Sequence, residues 1–464
     1  MSRIGRRRIL QGLGLSAAGF LGRDLLKSSA FALPLDPAKA PFLVVATFPG
    51  GWDQMLALDP RDLLKTTIDS AAQPSYDLCA PADPEVQKFL DATKGTGVLQ
   101  PPGSKLSFGP GIGRMAEHWQ DLCLIRSLDM GTLTHEVGRR FLLTGKFPRG
   151  LQASGSALPT WWAAQCGDIA PIPNLVVGGE SYNEGLDPFA SGLRINVTKD
   201  LLTVLTGQGA ALPPATESAI SDYLMKNRCS DQLLDGDGLV RDFLQARNKS
   251  LQLASGKLGV PFQFSSTPTP EIQKLYDAFH INVLKMQSEL AGPRGQVMLA
   301  GQALAKGISQ AVSISVSPSI DHHDDDWQLR HARDLREGFN ALADLIDFLK
   351  ATPDKAGLPL WSRTTLLVCS DFARTPKVNA RGGRDHHLAS SCLLAGKGIK
   401  GDTVIGATDS ALAMQGLDPL TGQVDPNQNA ARPPDVHATL LQAAGLGYSH
   451  ISNQNPRLIT AALS

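Results

Sequence analysis

The sequence lacks several features that would assign it to a common functional class. Its 44 Lys and Arg residues balance 44 Asp and Glu residues, so no excess of positive charge points to a nucleic-acid partner. After the N-terminal segment, no apolar run reaches the roughly 18 residues that a membrane span needs. The six cysteines are irregularly spaced with no C-x-x-C pair, which supports neither a zinc-finger nor a redox motif. We therefore expect no nucleic acid and no stable membrane span.

The sequence does have the composition of an ordinary globular protein, with 42% hydrophobic and 19% charged residues. Its 464 residues exceed the usual size of a single core. One elaborated α/β domain that follows a targeting segment accounts for this length.

The first 32 residues resemble a twin-arginine export signal. Arg6-Arg7-Arg8-Ile9-Leu10-Gln11 precedes a modestly apolar stretch rich in Gly and Ala, residues 12–22, and an Ala30-Phe31-Ala32 cleavage pattern. The resemblance implies export in the folded state by the twin-arginine translocase, to the periplasm or the medium. The alternative interpretation is a basic, frayed N-terminus. We predict a signal peptide at residues 1–32 and one domain at residues 33–464.

Six apolar runs predict β-strands that are separated by helical stretches, at residues 41–49, 122–128, 173–178, 311–318, 364–369 and 391–395. This alternation predicts an α/β fold with a mostly parallel central sheet flanked by helices. The clearest helix starts near Asp325 and ends before Pro353, because its apolar residues recur every three or four positions. Residues from about 180 to 310 combine a loop-rich piece with helical patterns, which predicts a helical insertion placed to cap the cleft. The helical patterns lie near residues 216–228, 236–254, 268–291 and 295–308.

Clusters of Asp and His stand just after three of these runs. They are Gly50-Gly51-Trp52-Asp53, Asp321-His322-His323 with Asp324 to Asp326, and Ser370-Asp371, which Asp385-His386-His387 soon follows. In an open parallel sheet, ligands bind at the carboxyl ends of the strands, so distant residues can meet there. Carboxylates together with imidazoles suit zinc or a similar divalent ion. The sequence therefore predicts a metal site, with zinc as the first expectation and manganese or calcium as alternatives.

Some of these acidic residues also have a purely structural interpretation. Asp53 can cap the turn or helix that follows it. Asp324, Asp325 and Asp326 are well placed to cap the following helix and to complement its dipole.

The segment around His135 resembles the sulfatase signature. In that signature a nucleophilic Cys or Ser is followed four residues later by Arg, and then by an apolar pair, Thr and Gly. Aligning on Leu142-Leu143-Thr144-Gly145 puts Arg139 on the signature arginine and His135 on the nucleophile. Because sulfatases need a modified Cys or Ser there, we do not expect ordinary sulfatase chemistry.

A histidine in the nucleophile position can act as a nucleophile, a general base or an additional metal ligand. Thr132 and Thr134 are neighbouring hydroxyls that can serve instead. The structural alternative is that His135 is hydrogen-bonded to a loop carbonyl.

The order of the motifs resembles a family of exported bacterial proteins called domain of unknown function 1501, within the alkaline phosphatase/sulfatase superfamily. That family shows G-G-x-D, a W-D-T-H-like segment, S-[DE]-F-G-R-T-P and G-T-D-H-G. The counterparts here are Gly50 to Asp53, Ile320 to His323, Ser370 to Pro376 and Gly383 to His387. The resemblance implies an alkaline phosphatase-like core.

The resemblance also implies two metal ions that share an anionic oxygen of the substrate. The implied ligands are Asp321, His323 and His386 for one ion, and Asp53 and Asp371 for the other. Phe372 stands where the superfamily commonly has a His, which weakens the second site. His322 and His387 are adjacent alternatives to His323 and His386, and a D-x-H spacing favours His323.

Arg139 and Arg374 are candidate clamps for an anionic group, since a guanidinium can hold one with two parallel hydrogen bonds. Either residue can instead pair with a nearby carboxylate. The first functional hypothesis is an exported metal-dependent hydrolase of phosphate or sulfate esters, acting on a small anionic ester or on a sulfated or phosphorylated polymer. The second is a catalytically degenerate binding or scaffold protein with the same fold.

Overall fold

The computed structural model describes residues 35–206 and 258–464, with a few single positions between 213 and 222. The predicted signal peptide at 1–32 and the predicted helix at 236–254 lie outside the described residues, as does most of the predicted helix at 216–228.

A central sheet of eight strands organises the fold. Its strands in spatial order are β10 (Thr403–Ile405), β2 (Leu122–Asp129), β9 (Ala389–Gly396), β6 (Thr364–Ser370), β1 (Phe42–Phe48), β5 (Ala311–Ser315), β3 (Asn174–Val177) and β4 (Leu193–Ile195). All neighbouring pairs are parallel except those that β9 makes with β2 and β6. The predicted α/β class with a mostly parallel sheet is confirmed, and each of the six predicted strands is present.

The burial of two central strands explains why they appear in the sequence as continuous apolar runs. All residues of β6 are buried, and so are all residues of β1 except Thr47. Central parallel strands are covered by helices on both faces, so they appear in the sequence as almost continuous apolar runs. Short strands such as β4 and β10 carry too few apolar residues for such a signal. A separate two-stranded ribbon pairs β7 (Ala373–Arg374) with β8 (His386–His387).

Helices flank the sheet. The described α-helices are α1 (Pro84–Ala92), α2 (His135–Thr144), α3 (Leu158–Cys166), α4 (Thr198–Thr206), α5 (Pro270–Ala278), α6 (Met286–Ala291), α7 (Pro293–Ala305), α8 (Ala332–Ala351) and α9 (Pro433–Ala444). Helix α8 follows a π-helical turn, Trp327–His331, so the long helix predicted after Asp325 is present with an irregular first part. Such π-helical turns are frequent at functional sites.

The two faces of the sheet bury separate cores. Val44 and Leu366 point to the face covered by α8, whose Leu335 and Phe339 belong to the same cluster. Residues Leu43 and Leu367, one position earlier and one later, face the other cluster, which contains Trp162 of α3 and Leu440 of α9. This alternation follows from the two-residue period of a β-strand.

The region predicted as an insertion at about 180–310 is partly integrated into the sheet. Strand β4 forms the sheet edge next to β3. Helix α7 packs against β5 and α8, so this helix of the region covers the sheet. The single helix expected at 268–291 is divided into α5, a short 3-10 turn at Val283–Lys285, and α6. In the described part of the chain, no helix is both long and apolar enough to cross a membrane.

Buried His437 links α9 to α2. Its side chain is fully buried, and its Nε2 donates a hydrogen bond to the carbonyl oxygen of Leu142, 2.7 Å away. Burial lowers the pKa of His437 to about 4 because the charged imidazolium is poorly solvated there.

We predict that His437 makes the folded state less stable in mild acid. Between the folded pKa of about 4 and the unfolded value near 6.5, the unfolded chain binds more protons, so stability rises with pH in this window and is lost as the pH falls. Between pH 7.5 and 4.5 this group should cost about 2 to 3 kcal/mol. Urea denaturation of the wild type and His437→Gln at both pH values measures the effect. Equal losses in both proteins would contradict the assignment.

Candidate metal centre

Three strand ends meet at one point because β6, β1 and β5 are neighbours in the sheet. The backbone N–H of Gly50 donates to Asp371 Oδ2 at 3.0 Å, and that of Trp52 donates to Ser370 Oγ at 2.9 Å. The N–H of Ile320 donates to the carbonyl oxygen of Pro49 at 2.8 Å. The segments that follow β1, β5 and β6 are therefore bound to one another, as expected for the carboxyl edge of a parallel sheet.

Two glycines permit this close approach. A Cβ atom on Gly50 would lie 2.6 Å from the backbone nitrogen of Asp321, and Gly50 has a φ of 105°. A Cβ atom on Gly138 of α2 would lie 2.3 Å from the carbonyl oxygen of Asp371. Without side chains at these positions, the chain after β1 reaches the chain after β5, and α2 reaches the end of β6.

Three imidazoles surround one carboxylate oxygen at this edge. Asp321 Oδ1 lies 3.2 Å from His135 Nε2, 3.0 Å from His323 Nε2 and 3.3 Å from His386 Nε2. The Nε2 atoms of His323 and His386 are 2.8 Å apart. One ligand atom from each of His135, Asp321 and His386 falls within 4.8 Å of the others. We refer to these four residues as the His/Asp centre.

The hydrogen-bond partners of the three Nδ1 atoms determine the tautomer of each imidazole ring. The Nδ1 atom of His135 contacts Asp371 Oδ2 at 2.9 Å, and that of His323 contacts Asp385 Oδ1 at 2.8 Å. The Nδ1 atom of His386 contacts the carbonyl oxygen of residue 133 at 2.7 Å. Ionised carboxylates and carbonyls only accept hydrogen bonds, so each Nδ1 carries the proton. A ring that carries only this proton presents its Nε2 lone pair to the centre.

Lone pairs that converge on a carboxylate repel one another unless cations lie among them. The guanidinium of Arg374 offsets part of this repulsion, since it donates to Asp321 Oδ1 at 2.6 Å and to His323 Nε2 at 3.3 Å. Metal-ligating histidines almost always donate their other ring N–H to a carboxylate or a carbonyl, as all three rings do here. Three imidazole nitrogens and one carboxylate oxygen are also ligands that Zn²⁺ prefers in proteins. The donor set of the His/Asp centre therefore fits a divalent metal ion.

The pKa shifts of two residues at the centre, Asp321 and His386, favour metal binding, and that of His135 does not. Burial alone would raise the pKa of Asp321, but the hydrogen bond and charge of Arg374 hold it well below its ordinary value. Burial lowers the pKa of His386, which keeps this ring neutral. Burial also acts to lower the pKa of His135, but its hydrogen bond to Asp371 outweighs this effect and raises the pKa.

Arg374, predicted as an anion clamp, is enclosed by the loops of the centre. Its side chain is fully buried, and its Nε donates to the carbonyl oxygen of Gly51 at 2.8 Å. Its other nitrogens donate to Asp321 Oδ1 at 2.6 Å and to His323 Nε2 at 3.3 Å. They also donate to three carbonyl oxygens, those of Gly50, Ile320 and Arg384. Arg374 thus holds the strand-end loops together and offsets the charge of Asp321.

Arg139, the other predicted clamp, points to a different partner. Its Nη2 lies 3.0 Å from Glu180 Oε1, and the neighbouring Arg140 binds the same carboxylate. Among the described contacts, none joins Arg139 to the His/Asp centre. The structure therefore places Arg139 in an ion pair, which was the alternative interpretation of this residue.

The residues implied for a second metal are engaged elsewhere. Asp53 is buried, and its Oδ2 lies 3.1 Å from Arg384 Nε and 3.0 Å from Trp327 Nε1, while its Oδ1 caps the turn at Met55. Asp371 binds the backbone of residue 50 and the ring of residue 135. The carboxylate of Asp53 is thus paired with a buried guanidinium and also caps a turn, which was its structural interpretation. A role for Asp53 and Asp371 as ligands of a second ion stays a prediction.

In each pair of adjacent histidines, only one ring belongs to the His/Asp centre. His322 is buried, and its Nδ1 lies 3.0 Å from His331 Nδ1. His331 Nε2 accepts a hydrogen bond from the backbone N–H of Asp53, so His331 carries its proton on Nδ1 and donates it to His322. The remaining proton of His322 is then on Nε2, which has no lone pair to offer a metal. His387 Nδ1 accepts from the N–H of Ala389, outside the centre.

Several contacts that shape the His/Asp centre have no clear signal in the sequence. Asp385 orients His323 across 62 positions of the chain, although it stands next to His386 in the sequence. Phe372 packs with its ring centroid 4.6 Å from that of His135 and 4.4 Å from that of His386, where the superfamily commonly has a His. The carbonyl oxygen of Leu133, which fixes the tautomer of His386, belongs to a backbone group that every residue type provides.

Solved structures with a similar arrangement of elements are distant in sequence. Ps i-CgsB has a TM-score of 0.37 and 8% identity, and the match covers 90% of this chain and 74% of that one. The sulfatase PsFucS1 from Pseudoalteromonas sp. has a TM-score of 0.34 and 13% identity, with 88% and 68% covered. The alkaline phosphatase from the Antarctic bacterium TAB5 has a TM-score of 0.33 and 11% identity, with 88% and 99% covered.

At the level of sequence, none of the curated proteins matches the chain. A family model does match, over residues 242–456, which include Asp321, His323, Asp371 and His386. The resemblance expected from the motifs is therefore confirmed: this part of the chain matches the family described as protein of unknown function (DUF1501).

Proposed function

We propose that this protein is an exported metal-dependent hydrolase of phosphate or sulfate esters, with zinc as its metal. The observation that carries the proposal is the convergence of three Nε2 lone pairs on Asp321 Oδ1. Manganese or calcium are the alternative ions, although calcium fits less well because it prefers oxygen ligands. Export to the periplasm or the medium through the twin-arginine translocase is proposed from the N-terminal motif.

The four side chains of the His/Asp centre would act as metal ligands. His135, His323, His386 and Asp321 would hold the ion. When bound, a divalent metal polarises an ester oxygen and lowers the pKa of a water molecule. Because the Nε2 atom of His135 faces Asp321 rather than an open cleft, the geometry favours this histidine as a ligand. Attack by water on the phosphorus or sulfur is then the route that the site supports best.

The partners around the centre would preserve its geometry during the reaction. Asp371 and Asp385 would keep the protons on Nδ1 of His135 and His323, so that both Nε2 atoms stay available. Arg374 would keep Asp321 ionised and in place. The substrate would be a small anionic ester or a sulfated or phosphorylated polymer.

The second candidate function is a binding or scaffold protein that has this fold without the chemistry. The observation that favours it is that Arg374 pairs with Asp321 and Arg139 pairs with Glu180. Neither predicted clamp is therefore free to hold a transferring anion, as an esterase of this kind would require.

We predict near one equivalent of zinc in the purified mature protein. Asp321→Ala and His386→Ala should each lose most of it, because each removes a donor at the convergence point. His387→Ala is the matched control, since this adjacent ring lies outside the centre, and Asp53→Asn should also retain the metal. Plasma mass spectrometry after dialysis against zinc measures the content. Equal metal in Asp321→Ala and in the wild type would contradict the assigned site.

We also predict hydrolysis of 4-nitrophenyl phosphate or 4-nitrophenyl sulfate by the zinc-loaded or manganese-loaded protein. Asp321→Ala should reduce the rate on the order of a hundredfold or more, since loss of an outer partner of a metal ligand alone costs about 10- to 100-fold. His387→Ala should keep the wild-type rate. Release of 4-nitrophenol, followed by absorbance, measures turnover. A fully metal-loaded protein that hydrolyses neither ester with either metal would favour the scaffold function.

A further inference from the structure

A polar pocket beyond the end of α2 has no role in the centre described above. It is a cavity of about 480 Å³, within the usual size range of small-molecule sites. Its wall combines the loop between α2 and α3 with a loop near Glu184 and a 3-10 turn, Ser449–Gln454, close to the C-terminus. Helix α2 has ten residues, so its two ends are about 15 Å apart. We call this cavity the α2-end pocket.

The α2-end pocket has cations without internal partners. Within the part of the chain that the structure describes, Arg149 is the arginine whose guanidinium makes neither a hydrogen bond nor an ion pair. By contrast, Arg139 and Arg140 are both held by Glu180. Lys146, also on the pocket wall, has no carboxylate within 4 Å among the described residues. Arg149 is exposed and Lys146 is half-buried, so this wall offers an anion two positive charges that no described carboxylate within 4 Å neutralises.

The pocket is shaped to present these cations. The backbones of Arg149 and Gln152 exchange hydrogen bonds of 2.9 and 3.1 Å, which close a tight turn. The stem of Lys146 lies against Gly155, where a Cβ atom would come within 3.1 Å of the ammonium nitrogen. Glu184 also lines the pocket, and its carboxylate accepts a hydrogen bond from the N–H of Gly155. The pocket therefore keeps a net charge of one positive unit.

The remaining wall is suited to a ligand rich in hydroxyl groups. Gln152, Asn453 and Gln454 contribute amides, which donate and accept hydrogen bonds as sugar hydroxyls do. Phe147 is 47% exposed and offers the apolar surface of one ring. The edge of this ring lies beside Gly131, at the start of the loop that leads to His135. One side of the pocket is thus connected to the segment that carries a residue of the His/Asp centre.

We infer that the α2-end pocket binds a sugar unit that carries an anionic group, with Lys146 and Arg149 holding the anion and the amides holding hydroxyl groups. Its use as a subsite for an anionic polysaccharide substrate rests on the proposed function. The binding itself does not, because the pocket shares no residue with the metal centre.

Isothermal titration calorimetry of the full mature protein with a heparin-derived tetrasaccharide tests this inference. We expect Lys146→Ala/Arg149→Ala to weaken binding at least tenfold. Lys65→Ala/Lys105→Ala is the control, since it removes the same charge from exposed positions elsewhere. A tetrasaccharide without sulfates but with its carboxylates shows which anionic group is held: binding lost in this arm assigns sulfate, and binding retained assigns carboxylate.

Further binding measurements distinguish the α2-end pocket from the proposed metal site. Asp321→Ala should bind the tetrasaccharide as the wild type does, whether or not the protein is a hydrolase. The inference is overturned if the wild type does not bind the tetrasaccharide, or if both double variants bind it equally. It is also overturned if adenosine monophosphate binds more tightly than the tetrasaccharide and depends on the same two cations, because the pocket would then be a nucleotide site.

Discussion

The positions of three protons govern the chemistry of this molecule. If the Nδ1 atoms of His135, His323 and His386 carry them, all three Nε2 lone pairs face Asp321 and favour a bound metal ion beside the guanidinium of Arg374. If one proton moved to Nε2, that ring would donate to Asp321 and the centre would become a closed hydrogen-bond network. Asp371 and Asp385 prevent this exchange, because an ionised carboxylate beside Nδ1 favours the proton there. These outer carboxylates therefore contribute to the site by fixing the tautomers of two of its ligands.

Backbone packing determines whether those partners can meet. The parallel order of β6, β1 and β5 places three loops at one edge, and Gly50 and Gly138 remove the side chains that would separate them. Arg374 then fills the gap beneath the loops and binds five of their oxygen atoms. A fully buried guanidinium must have its donors satisfied, so the loops are held in the arrangement that the centre needs.

The sequence was sufficient for the sheet and for the region of the site. Long central strands are continuous apolar runs, and the Asp and His clusters follow them directly. It was not sufficient for the side-chain partners. His322 and His323 are adjacent and chemically identical, and a hydrogen-bond chain that starts at the backbone of Asp53 decides between them. Whether Arg139 clamps a substrate or pairs with Glu180 depends on the loop after β3, whose course no local pattern predicts. Asp53 shows the same limit, since its partner Arg384 lies more than 300 positions away.

X-ray absorption spectroscopy of the zinc-loaded mature protein tests the central claim most directly, because it reports the ligands of the metal without requiring a substrate. The account predicts zinc with nitrogen and oxygen donors at about 2.0–2.1 Å and the multiple-scattering pattern of at least two imidazoles. This pattern should weaken in His386→Ala and persist in His387→Ala. A zinc ion coordinated only by oxygen atoms, or a spectrum that neither substitution changes, would contradict the account.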